Sequence, residues 1–225
     1  MLLSAPSDGA VDAPNLLLRL HPSTRSKVRV LGSTRNYRPG DPLFRQGDPH
    51  DGIYLIETGV IKSYYVSEDG RELTLGYWSS GHYVGAPQVF GGGRHAWTSV
   101  AVDEASCLWI PGPQLRSLSL SHGDLAIALI DALVHKTQCY CELLQLLATH
   151  SMRVRLARLL AMLAARAPGR TPLIDLTHGE LAGMIGSTRQ WVSLSLARFE
   201  SEGLLQRQID GTYVVRDESA LRAVS

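Results

Sequence analysis

Cysteine is scarce in this 225-residue sequence: Cys107, Cys139 and Cys141 are odd in number and lack the spacing of a disulfide framework. That excludes a small stapled scaffold and suits a reducing compartment, so a cytoplasmic protein is expected. Long apolar runs are missing as well. No stretch approaches the roughly 18 consecutive apolar residues of a membrane span, and the opening MLLSAPSDGAVDAPNLLLRL has no basic segment followed by a long apolar one, so no membrane partner is expected. Charge of one sign is lacking: 22 basic side chains meet 21 acidic ones, for a net charge of +1, and nothing global announces nucleic acid or membrane. Nor does the sequence contain a nucleophile elbow, a His-Glu-x-x-His pair or a P-loop, and its histidines are not paired with carboxylates at useful spacing. No enzyme is expected.

What is present divides along the chain. Residues 1–151 hold 12 basic and 14 acidic groups, a balance of −2, whereas 152–225 hold 10 and 7, a balance of +3. Residues 37–110 read as short strands broken by turns, the pattern of a jelly roll or related barrel. Strands are expected at Gly52–Glu57, Val60–Val66, Leu73–Trp78 and Trp97–Ile110, with turns at Pro39-Gly40-Asp41, Gln46-Gly47-Asp48-Pro49, Glu57-Thr58-Gly59 and Glu68-Asp69-Gly70. From Asp124 to about Thr149 the period becomes helical: Ala126, Ile130, Leu133, Thr137, Tyr140, Leu144 and Leu147 follow steps of four and three. That spacing serves equally a coiled-coil seam and an amphipathic helix packed on its own domain. A further helix, Met152–Ala165, is ended by Pro168-Gly169.

The strongest constellation is LTHGELAGMIGSTRQWVSLSLARFESEGLL, Leu176 to Leu205. Thr177 with Glu180, and Ser187 with Gln190, have the spacing of capping boxes, in which a hydroxyl and an acid or amide satisfy two orphaned helix-start N–H groups. Two helix starts ten residues apart leave room for one short helix and a tight turn. Ala182 permits a close crossing, Gly186 supplies the turn, and Val192, Leu196 and Phe199 form the inward face of the second helix. Thr188, Arg189, Gln190, Ser193, Leu194 and Ala197 face outward. Arginine can donate twice to guanine and glutamine can pair with adenine, so Arg189 and Gln190 suit base readout in a major groove. Ser187, Thr188, Ser193 and Arg198 suit phosphate contacts. The plainer alternative is a packed helix pair with a solvated polar face. Leu204–Val215 reads as a hairpin around Asp210-Gly211, a wing on which Arg207 can meet phosphate.

With YRPGDPLFRQGDPHDGIYLIETGVIKSYYVSEDGRELTLGYWSSGHYVG ahead of this helix-turn-helix, the chain resembles the cyclic-AMP receptor protein and fumarate-nitrate regulator (Crp/Fnr) family over about residues 25 to 216. The resemblance implies an α+β fold: an N-terminal helix and cyclic-nucleotide-binding-like β-roll (jelly roll) sensor over 1–123, a long dimerisation helix over 124–150, and a C-terminal winged helix-turn-helix over 151–225. It implies a homodimeric transcription regulator that binds a palindromic operator in double-stranded DNA, contacts RNA polymerase and answers to a small-molecule effector. On this reading the dimer seam comprises Ile130, Leu133, Thr137, Tyr140, Leu144 and Leu147.

The effector positions depart from the family pattern. Relatives that bind cyclic AMP carry Gly-Glu and Arg-Ser or Arg-Thr pairs; here the segment is GAPQVFGGGRHAWTSV, in which Gly85 is followed by Ala86 and Arg94 by His95. The adenine-facing positions of the long helix fall on Tyr140 and Cys141. Cyclic AMP is therefore expected to bind poorly, and the candidate pocket is Gly85, Arg94, His95, Tyr140 and Cys141, its effector unidentified. Arg94 suits either an anion or plain solvent, and Gly91–Gly93 read as a flexible turn. No cysteine precedes Cys107, against an iron-sulfur cluster, and Cys139 and Cys141 point to nearly opposite sides of a helix, against a joint metal site. His82 and His95 are conceivable haem ligands, but turn histidines of this kind usually lie at the surface. Recognition-helix departures, Gln190 for an acidic residue and Leu194 for an arginine, imply a different half-site. The alternatives are a cyclic-nucleotide-binding module acting on a protein partner and a thiol-based redox regulator.

Overall fold

The computed structural model describes residues 15–85, 88–166, 173–174 and 176–224. After helix α1 (Pro22–Leu31) come strands β1 (Ser33–Tyr37), β2 (Pro42–Phe44), β3 (Gly52–Thr58), β4 (Ile61–Val66), β5 (Glu72–Trp78), β6 (Tyr83–Val84), β7 (Thr98–Ala101) and β8 (Ala105–Pro111). They form two four-stranded antiparallel sheets, ordered β1-β8-β3-β6 and β2-β7-β4-β5. The expected single strand Trp97–Ile110 is two strands. Val102 N–H donates to the Val60 carbonyl, and Asp103 accepts from the Val60 N–H at 2.7 Å, which closes a turn between β7 and β8.

Alternation along β3 joins two hydrophobic clusters. Ile53 and Leu55 point into one with Leu108, Ile110 and the inner face of the long helix; Tyr54 and Ile56 point into the other with Phe44, Ile61, Trp78 and Cys107. Because both faces are covered, β3 is apolar almost throughout.

Helices α2 (Gly112–Ser121), α3 (Gly123–Thr149) and α4 (Met152–Arg166) follow, then strand β9 (Leu173–Ile174), helices α5 (His178–Ile185) and α6 (Arg189–Ser201), strands β10 (Leu205–Arg207) and β11 (Tyr213–Val215), and helix α7 (Glu218–Arg222). The terminating Pro168-Gly169 lies outside the described residues. The wing hairpin is present, and β9 adds a third strand against β11 that periodicity did not reveal. The chain forms two compact units: one takes the residues up to Val66 with Leu75–Glu142, the other Ser67–Thr74 with Leu143 onward.

On α3 the inner row is Leu125, Ala128, Ala132, Lys136, Cys139 and Leu143, all buried. Its exposed row is Ile127, Ile130, Val134, Thr137, Cys141 and Leu144. The residues expected at the seam divide between these rows. Ile130, Thr137 and Leu144 stand on the exposed row and Leu133 at its margin, while Tyr140 turns to Trp78 and Trp97 at 6.3 Å between ring centroids and Leu147 is half-buried. The apolar residues at 126, 133, 140 and 147 have equivalents at 127, 134, 141 and 148, and only packing chooses between the two rows.

Candidate nucleic-acid interface

Thr177 opens α5 with a complete capping box: its hydroxyl accepts from the Glu180 N–H at 3.2 Å, and Glu180 accepts from the Thr177 N–H at 2.7 Å. Leu181, Ala182, Met184 and Ile185 are buried. Gly186 ends the helix at φ +67°, a left-handed conformation that glycine adopts at little cost. The second box is corrected. Thr188 caps α6, accepting from the Trp191 N–H at 3.2 Å, whereas the Ser187 hydroxyl meets Met152 Sδ at 3.4 Å. Gln190 is thereby free of a capping task, and its side chain is exposed.

The helix is sharply two-sided. Val192, Leu196 and Phe199 are completely buried, while Thr188, Arg189, Gln190, Leu194, Ala197 and Arg198 are exposed. Ser193 is half-buried, donating to the Arg189 carbonyl at 2.9 Å and meeting His178 Nδ1 at 2.7 Å. Arg198 is held by Glu202 at 3.0 Å, and Glu202 also takes Arg153 at 2.6 Å. Arg189 and Arg207 have no carboxylate partner among the described residues. Both lie within electrostatic reach of His178, whose pKa is lowered by burial and by these two guanidinium groups. His178 stands directly after the Thr177 cap, at the first turn of α5, and that position is the only signal of its place beside α6 that the sequence carries. The wing tip is ordered by Asp210, which accepts from the Thr212 N–H at 2.9 Å and hydroxyl at 2.7 Å, and it lifts Ile209 fully into solvent.

Of the candidate effector residues, Gly85 and His95 both meet the His50 ring, whereas Arg94 and Cys141 are exposed. Gly85 is buried at φ +93°, its carbonyl meeting His50 Nε2; Ala86 lies outside the described residues. Arg94 is exposed and donates to the Gly47 carbonyl at 2.6 Å. His95 points the other way, 3 % exposed, stacked on Phe44 at 3.7 Å between centroids and 4.6 Å from the His50 ring. Cys141 is exposed on the outer row of α3, and Tyr140 packs inward. His82 and His95 are therefore not surface residues. Burial lowers both to about 4, His82 further under Lys136 and His135, and His95 further under His50. Among the described residues no three His, Cys, Asp or Glu side chains are grouped to hold a metal ion, and no single helix is long and apolar enough to cross a membrane.

Sequence comparison agrees with this anatomy. Residues 34–122 match the cyclic nucleotide-binding domain, and residues 154–224 match the Crp-like helix-turn-helix domain. The cyclic AMP receptor protein of Thermus thermophilus is 30% identical over 196 residues, covering 85% of this chain and 87% of that protein. The fumarate and nitrate reduction regulatory protein of Escherichia coli is 28% identical over 190 residues, covering 82% and 75%. In fold, the chain resembles the c-di-GMP responsive global regulator of Xanthomonas campestris, with a TM-score of 0.77 at 22% identity over 88% of this chain and 100% of that one. The chain belongs to the Crp/Fnr family of DNA-binding transcription regulators.

Proposed function

We propose that the protein is a cytoplasmic homodimer that reads a palindromic operator with α6 and answers to an effector other than cyclic AMP. In this division of labour, residues 1–123 sense, 124–150 hold two subunits together and 151–225 bind DNA. One observation carries the reading: α6 buries Val192, Leu196 and Phe199 completely while leaving Arg189, Gln190 and Leu194 in solvent. Arg189 and Gln190 read base edges, Leu194 meets a thymine methyl, and Ser187, Thr188, Ser193 and Arg207 take phosphates. Arg198 reaches a phosphate only in competition with Glu202. RNA polymerase is the partner of the bound dimer.

Operator sites selected from random DNA and titrated by fluorescence anisotropy test this. Arg189→Ala is expected to weaken binding by about 1–3 kcal/mol and to relax specificity at one base position. Equal binding of every sequence by parent and variant would refute it. The exclusion of cyclic AMP is supported by the outward Arg94 and by His95 filling space against Phe44. Calorimetric titration with cyclic AMP or cyclic GMP is expected to give no binding heat.

A further inference from the structure

Lys136 is one of three lysines in the sequence. It lies on the inner row of α3 and is 7% exposed. Its ammonium sits 3.4 Å from the Trp78 ring centroid and 5.4 Å from that of Tyr83. Neither a carboxylate nor a hydrogen-bond acceptor among the described residues meets it, and burial draws its pKa down to about 7. An unpaired cation in such surroundings is costly unless a counter-charge joins it, and the aromatic faces offset only part of that cost.

Two more unpartnered groups adjoin the same rings. The Tyr83 hydroxyl is buried without a hydrogen bond, and so is His82 Nε2, with the His82 ring 5.7 Å from Trp78 and 5.6 Å from His135. His82 Nδ1 donates to the Ser79 carbonyl at 3.1 Å, so Nε2 of the neutral ring is an acceptor. The Lys136 ammonium and the His82 ring thus both lie against the Trp78 indole, and the Tyr83 ring, with its unpartnered hydroxyl, lies beside the same ammonium. All belong to the first compact unit, and none is among the Gly85, Arg94 and His95 positions.

We infer that Lys136, Tyr83 and His82 form a binding site for a small organic anion. The ammonium takes the anionic group, the Tyr83 hydroxyl donates to it, and His82 accepts from a hydroxyl or N–H of the same molecule. The inference rests on the effector-sensing reading of this half of the chain and supplies the chemical class of the effector.

Pyridoxal 5′-phosphate, which carries a phosphate, a hydroxyl and an aldehyde, is the probe for the full-length protein at mildly alkaline pH. Its aldehyde carbon forms a C=N bond to a free lysine Nζ with loss of one water. Borohydride then adds hydride to that carbon, water protonates the nitrogen, and a stable secondary amine marks the site. Peptide mapping is expected to find Lys136 labelled several-fold faster than Lys27 and Lys62, with inorganic phosphate slowing Lys136 selectively. Inorganic phosphate is also expected to raise the thermal midpoint of the parent but not of Lys136→Met. Labelling confined to Lys27 and Lys62, labelling of Lys136 indifferent to phosphate, or an equal midpoint rise in both proteins overturns the site. Operator binding, measured alongside, separates the two readings. A chain that binds operator while its Lys136 stays unlabelled fails this inference alone, and a labelled chain that binds no operator fails the regulator reading alone.

Discussion

A single hydroxyl holds the start of the recognition helix, Thr188 Oγ1 accepting from the Trp191 N–H at 3.2 Å. Thr188→Ala is expected to cost about 1 kcal/mol in urea unfolding. Ser187→Ala, whose hydroxyl meets only a thioether sulfur, is expected to stay within about 0.5 kcal/mol of the parent. His82 and His95 act on stability in the opposite sense from a paired histidine. Their folded pKa values, about 4, lie below the ordinary 6.5, so between pH 6.5 and 4 the unfolded chain binds protons that the folded chain refuses. Stability is therefore expected to fall as pH drops through that window, by up to about 1.4 kcal/mol per histidine per pH unit, and to be indifferent to both rings above it. Urea midpoints at pH 7 and pH 5 check this, and the difference between them should shrink in a His82→Gln, His95→Gln double variant.

Elements were legible where a period repeated and turn chemistry agreed. Strands β3, β4 and β5, helix α3 and the α5–α6 pair all follow from apolar spacing and turn residues. The α6 cap did not, because Ser187 and Thr188 are adjacent hydroxyls and the choice between them lies in the geometry of the turn at Gly186. The inward histidines were hidden because a loop histidine looks alike whether it meets water or stacks on Phe44. The facing row of α3 was ambiguous because two apolar rows run side by side, and Tyr140 settles between Trp78 and Trp97 only once the sheets are formed. This row gives its own prediction. If the proposed dimer forms through this row, Ile130, 57% exposed in one chain, replaced in Ile130→Asp is expected to leave a monomer by sedimentation velocity, since a buried unpaired carboxylate at a helix seam is not tolerated. Tyr140→Phe is expected to leave the dimer intact.

For the whole molecule, the proposed dimer would set two α6 helices, related by a dyad, against successive major-groove faces about 34 Å apart. Inserting half a helical turn, about five base pairs, between the operator half-sites is therefore expected to abolish cooperative binding, whereas a full turn restores part of it. The chain passes between its compact units at three places, after Val66, after Thr74 and after Glu142. At Gly183 a Cβ would come within 3.0 Å of the Thr74 hydroxyl and 3.3 Å of a Glu72 carboxylate oxygen, so the segment Ser67–Thr74 is seated directly on the backbone of α5. No single scission can release the DNA-reading part whole. A fragment starting at Leu143 leaves behind a loan of eight residues from far upstream, and a protease nick within that loan is expected to loosen the headpiece without touching it.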